Sequence, residues 1–102
     1  MNKGEVLEMK FLLIKCIKDI IINCRNEDYH CFVKGKEYDI CLDEQENECF
    51  TLNEVNVMHF FTYKNDWFFN EHFEFVNELK EDDFANDELR LQRLKRMAKE
   101  AL

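Results

Sequence analysis

One glycine, Gly35, stands between Lys34 and Lys36 in the interior of the chain; the other, Gly4, lies close to the N-terminus. Glycine takes positive φ without a Cβ penalty, so the sharpest corner of the fold is expected at Gly35. Phe32-Val33 lead into that corner. Glu37 to Leu42 leave it as a strand with Tyr38, Ile40 and Leu42 on one face. Downstream, apolar and polar residues alternate in short runs, the period of half-buried strands. The alternation gives way to a basic, helix-forming tail.

The spacing predicts the following order. Met9 to Ile17 reads as a strand apolar on both faces, with Leu12, Ile14 and Cys16 opposite Phe11, Leu13 and Ile17. Such strands are central or covered. A helix is the competing reading, and the β-branched Ile14, Ile17, Ile20, Ile21 and Ile22 favour strand. Asn23 to Tyr29 reads as a loop and Asp43 to Glu48 as a solvated turn. Cys49 to Leu52 and Val55 to Thr62 read as strands, with a tight turn at Asn53-Glu54 between them. In the second, Val55, Val57, His59 and Phe61 face one way, Met58 and Phe60 the other. Tyr63 to Asp66 turns the chain, and Asn70-Glu71-His72 makes a single helical turn. Phe73, Phe75 and Val76 close the sheet, against an alternative helix over residues 70–80. The expected core holds Tyr38, Ile40, Phe50, Val57, Trp67 and Phe73.

Asp82, Asp83, Asn86 and Asp87 offer caps and negative charge to a helix start. Leu89 to Leu102 is built of strong helix formers. Leu91, Leu94, Ala98 and Ala101 form a narrow stripe on it. Isolated helices of this length are marginal in water, so the stripe must dock. It can lie on its own domain, on a second copy as a short coiled-coil seam in a homodimer, or on a target.

The chain has 102 residues, enough for one domain around one core. Its formal net charge of −8 opposes general binding to a phosphate backbone. The charge is uneven: residues 86–102 carry five cations against three anions, so the acidity lies in the rest of the chain. Five cysteines, Cys16, Cys24, Cys31, Cys41 and Cys49, form no CxxC pair. With no secretory leader pattern and no membrane-spanning run, a reduced, cytoplasmic protein with free thiols is expected.

Serine is absent, which excludes serine nucleophiles, and two isolated glycines exclude a glycine-rich phosphate cradle. His30 and Cys31 are neighbours on a strand and point to opposite faces. Cys24, His30, Cys31 and Cys41 lack paired metal-ligand spacing. No catalytic residue, no metal and no cofactor is therefore expected. The densest acidic run is Glu71, Glu74, Glu78, Glu81, Asp82 and Asp83, continuing to Asp87 and Glu88. It reads either as a surface that imitates nucleic-acid phosphates in a partner's basic groove or as a solvated edge. Ten phenylalanines and one tryptophan exceed what one small core hides. Trp67 and Phe68 are the expected exposed anchors, because aromatics dominate interface energetics.

Five stretches carry a resemblance: Lys15-Cys16-Ile17-Lys18-Asp19, Phe32 to Ile40, Met58-His59-Phe60, Asp66-Trp67-Phe68 and His72 to Val76. Together they resemble small phage and prophage proteins of low-GC Gram-positive bacteria, a group that looks like SH3-type β-barrels. The bias towards Asn, Lys, Glu, Ile and Phe fits AT-rich coding of that kind. The resemblance covers roughly residues 9–77 and implies a small antiparallel SH3-like barrel. With the lead-in and tail read from the residues themselves, the expected fold is mainly β (β+α): a flexible lead-in over 1–8, the barrel over 9–80 and a C-terminal α-helix over 81–102. With the small size, the acidity and the missing catalytic residues, the resemblance implies a non-enzymatic accessory protein of a phage or mobile element. Such a protein would bind and inhibit a host protein, with a CRISPR effector or a restriction enzyme favoured. Partner binding then falls to Glu71, Glu74, Glu78, Glu81, Asp82, Asp83, Trp67 and Phe68, and self-association to Leu91, Leu94, Ala98 and Ala101. The alternative is a nucleic-acid-binding regulatory module using the basic tail helix and the barrel aromatics, against which the acidity counts. The chain departs from the pattern at Asn53-Glu54-Val55-Asn56, where a glycine-containing hairpin turn is usual, and throughout the tail.

Overall fold

The computed structural model describes residues 9–101, so the expected lead-in and Leu102 lie outside the described residues. The protein is mainly β with a C-terminal α-helix. Its strands are β1 (Lys10–Cys16), β2 (Ile20–Cys24), β3 (Glu27–Phe32), β4 (Glu37–Asp43), β5 (Glu48–Leu52), β6 (Met58–Thr62) and β7 (Phe73–Leu79). Helix α1 (Trp67–His72) precedes β7, and a 3-10 turn (Glu81–Phe84) leads into α2 (Glu88–Ala101).

A five-stranded antiparallel sheet runs in the order β6-β5-β4-β1-β7. Its ends do not meet: β6 and β7 are edges, and β2-β3 forms a separate two-stranded sheet. The described strands are antiparallel sheets and not a closed barrel.

β1 shows why. Its two apolar faces need two covers, and the chain supplies both. On one face Leu12, Ile14 and Cys16 join Tyr38, Ile40 and Leu42, roofed by Ile20, Cys31 and Phe32 of the hairpin and by Phe69 of α1. On the other, Cys41, Phe50 and Leu79 lie beneath Phe84 and the Leu94, Met97 and Ala98 side of α2. Phe32 is fully buried at the centre of the first layer. Rings of Tyr38, His59, Phe61 and Phe73 surround it edge-on, at centroid distances of 5.0, 5.2, 5.8 and 5.3 Å.

The corner at Gly35 forms as expected, with φ of +92°. The Gly35 N–H donates to Cys16 O and the Cys16 N–H to Lys36 O, which ties the corner to the end of β1. Tyr38 Oη accepts the Val33 N–H at 2.9 Å and donates to Glu54 at 2.7 Å. Burial, followed by that carboxylate, pushes the Tyr38 phenol up.

Four expectations are corrected. Residues 23–29 are not a loop but the tip of the β2-β3 hairpin. Arg25 and Asn26 both hold positive φ, 54° and 67°, as a two-residue hairpin turn demands. No glycine marks that turn, so the sequence hides it. The strand after Asn53 begins at Met58, not Val55, because Asn53 folds the intervening residues into a turn around its own side chain. Val57 is therefore 55% exposed rather than core. Trp67, at 72% exposure, is not core either. Finally, helix α1 starts at Trp67 rather than Asn70, and residues from Phe73 onward are strand. Tyr38, Ile40, Phe50 and Phe73 are buried as expected.

Candidate functional site

Helix α1 is short and firmly placed. Asp66, extended at φ −111°, caps it by accepting the Phe69 N–H at 2.9 Å. The turn before it is held from the β4-β5 loop: the Asn47 amide accepts the Lys64 N–H at 2.7 Å and donates to Lys64 O at 3.1 Å. Phe69 and His72 point inward. His72 Nδ1 lies 2.8 Å from Phe68 O, so that nitrogen carries the proton and donates. With those two sides fixed, Trp67 is left outward. Its indole meets the Phe68 ring edge-on, centroids 5.8 Å apart. Phe68 itself stacks on Phe61 and lies 4.2 Å from His72, centroid to centroid. It is a support for Trp67, packed against the core. Beside α1, a groove of about 530 Å³ opens over Phe69 and Phe73, walled by Tyr63, Asn70, Glu74 and the half-exposed Phe75.

The structure divides the acidic run. A register shift in the β1-β7 pair pairs Ile14 with Phe75 but Leu13 with Asn77, leaving Val76 as the bulged residue. Cross-strand partners share a face. Glu74, opposite Lys15, therefore lies on the α2 side and Glu78, opposite Leu12, on the hairpin side. Without the bulge the two would lie on one face. Several carboxylates are also engaged. Glu71 pairs with Lys18 at 3.1 Å and Glu78 with Lys80 at 2.9 Å. The hydrogen bond from Lys80 holds the Glu78 carboxyl below its ordinary range. Asp83 accepts the Lys80 N–H at 2.6 Å and closes the 3-10 turn, where Glu81 and Asp82 are exposed. The eight candidate partner-binding residues are thus separated. Trp67, Phe68, Glu71 and Glu74 gather around α1 and the start of β7; Glu78 lies near the other end of that strand, and Glu81, Asp82 and Asp83 sit beyond it.

The tail stripe is covered by the chain's own sheet. Leu94 and Ala98 are buried at 1% and 0% exposure, with Met97 beside them. Leu91 and Ala101 pack half-buried at the margin. Arg90 anchors the helix with a forked pair to Asp39, its Nε 2.7 Å from Oδ2, and crosses the Phe84 ring at 5.7 Å. Cys41 Sγ donates to Leu94 O at 3.6 Å. Of the three dockings open to the stripe of Leu91, Leu94, Ala98 and Ala101, the described chain shows the one on its own domain, where it covers the second face of the sheet. To solvent α2 shows Arg93, Lys95, Arg96 and Lys99 together with Glu88, Leu89, Gln92 and Glu100.

Sequence reading missed a second groove, of about 300 Å³, between the hairpin and the 53–57 turn. Ile22, Cys24, Tyr29, Cys31, Val55, Val57, Asn53 and His59 line it. The signal was present in Asn53 and Asn56, which mark a turn, with Val55 between them and Val57 just after. Cysteine, histidine and asparagine together invite a thiolate–imidazole reading. The hydrogen bonds oppose it, because Asn53 Nδ2 occupies His59 Nε2 at 2.8 Å. Among the described residues no hydrogen bond joins a thiol to that ring. Elsewhere burial pushes the Cys41 and Cys49 thiols up to about 12, far from thiolate chemistry at neutral pH. Cys24 is the exposed thiol; Cys16, Cys31, Cys41 and Cys49 are buried.

Among the described residues no group of three or more His, Cys, Asp or Glu side chains is placed to hold a metal ion. Among them, too, no helix is long and apolar enough to cross a membrane. In comparison with known proteins, the chain matches no family model, no curated protein and no solved structure.

Proposed function

We propose that this chain is a non-enzymatic binding protein of a phage or mobile element that inhibits a bacterial host protein, in a cytoplasmic setting. The favoured target is a nucleic-acid-handling or defence enzyme, a CRISPR effector or a restriction enzyme, and the fold is read as a divergent, open relative of the SH3-like barrel. The observation that carries the reading is Trp67. A tryptophan exposed at 72% on a capped helix, with Glu71 one turn further along it and Glu74 at the start of the following strand, has the make-up of an interface anchor. The short acidic cluster fits the basic rim of a nucleic-acid channel better than the full run does, since the bulge in β7 splits that run. The exposed cations on α2 favour a second reading, a nucleic-acid-binding regulator.

The test is capture from a low-GC Gram-positive lysate, with and without nuclease, using the native protein and Trp67→Ala. Nuclease-resistant enrichment of one enzyme, inhibited by the native protein and lost with Trp67→Ala, supports inhibition. Truncating an anchor of this kind costs about 2 kcal/mol or more, roughly a 30-fold loss of affinity. Capture that disappears with nuclease supports the regulator instead.

A further inference from the structure

The 53–57 turn is built around one amide. Asn53 is 5% exposed, and its Oδ1 accepts the N–H groups of Val55 and Val57, each at 2.9 Å. That pair of bonds fixes which way the amide faces. Its Nδ2 must point to His59 Nε2, 2.8 Å away. An amide nitrogen can only donate, so Nε2 accepts and the imidazole is neutral, its proton on Nδ1. A protonated ring would set N–H against N–H. The amide could meet the imidazolium with its oxygen only by turning over, which abandons both valine N–H groups.

The turn has three further backbone ties, Glu54 N–H to Cys31 O at 2.9 Å, Asn53 N–H to Val57 O at 3.0 Å and Asn56 N–H to Asn53 O at 3.1 Å. All three depend on the turn keeping its shape. The groups around His59 do not favour its charge. Thr51 lies across from it on β5. Phe32 stands edge-on at 5.2 Å and Phe61 stacks at 6.0 Å. The titratable groups that share its groove are Cys24, Tyr29 and Cys31. The carboxylate of the turn, Glu54, is taken by Tyr38 and Lys36.

We propose that the Asn53–His59 contact is an acid-sensitive latch: protonating His59 releases the 53–57 turn and opens the groove between Val55, Val57, Ile22 and Tyr29. Burial holds the His59 imidazole below its ordinary value of 6.5, in the direction this geometry requires. The neutral ring is the one the fold stabilises. The turn is therefore intact above 6.5 and is released as pH falls through the depressed midpoint.

The experiment is NMR on the intact protein, following the imidazole nitrogens and the backbone amides through a pH titration. At neutral pH His59 should show the Nδ1–H tautomer. Through its midpoint, the amides of Val55 and Val57 should shift and lose exchange protection together. The amide response should follow the His59 ring signals and not those of His30 or His72. His59→Gln offers Asn53 a non-titrating acceptor and should abolish the response while keeping the turn. An Nε2–H tautomer at neutral pH overturns the proposal. So do valine amides that stay unchanged through the His59 midpoint, or a response that survives in His59→Gln. If that variant does not fold, the titration of the native protein decides alone.

Discussion

Shortening Leu94 to alanine tests how α2 is used. Leu94 is 1% exposed and lies among Cys41, Phe50, Leu79, Phe84, Met97 and Ala98. The change removes three carbons, about 2.4 kcal/mol of transfer free energy at ~0.8 per methylene. The walls that would have to collapse into the space are a strand paired on both sides and a helix pinned by Arg90 to Asp39. Little relaxation is available, so a cavity term adds to the transfer term. The expected loss is about 3–4 kcal/mol, within the range seen for buried leucines. Urea denaturation should show a lower midpoint with an unchanged slope. The midpoint should also be the same at low and high protein concentration, because the helix packs on its own sheet. A helix serving a second copy would make the native midpoint rise with concentration. Such a rise, or a Leu94→Ala loss below about 1 kcal/mol, the level of surface changes, would refute this assignment of the tail.

Gly35→Ala should destabilise the protein by about 1–2 kcal/mol, the usual left-handed backbone penalty. An added Cβ meets nothing within 4 Å, so the whole cost is conformational, and Gly35→Asn should recover part of it in the same denaturation assay. Glu54 is held below its ordinary 4.5 first by the Tyr38 hydroxyl and then by Lys36. Its contribution is present above 4.5 and is lost as pH falls through the depressed folded value. Glu54→Gln should therefore flatten the acid side of a stability–pH curve and leave the alkaline side in place.

Several features were legible because they are decided within a few residues. Gly35 imposes its own φ. The polar run from Asp43 to Glu48 has no apolar face to bury, so it turns. The tail is helical by propensity, and Asp87 caps it by accepting the Arg90 N–H at 3.2 Å. The alternation of Tyr38, Ile40 and Leu42 names their shared face, and the two apolar faces of β1 announce a strand covered on both sides. Trp67 as an exposed aromatic was legible only as one of two contradictory expectations, since side-chain chemistry suits both core and interface.

Tertiary structure decided the rest, wherever the local pattern was satisfied by more than one partner. Phe69, Phe73, Val76 and Leu79 fit a helix by spacing. β1 needs a second hydrogen-bonded neighbour, and pairing Phe73 to Cys16 and Leu79 to Phe11 makes that segment a strand. The bulge at Val76, invisible in the sequence, then parts Glu74 from Glu78 and divides the acidic run. Asn53 shows the same thing at a turn: its amide is satisfied by His59, six residues on and across a hairpin. The stripe on α2 fits a partner helix as well as a sheet. The sheet prevails because Cys41, Phe50 and Leu79 would otherwise face water, and burying apolar surface within the chain carries no cost of bringing two molecules together.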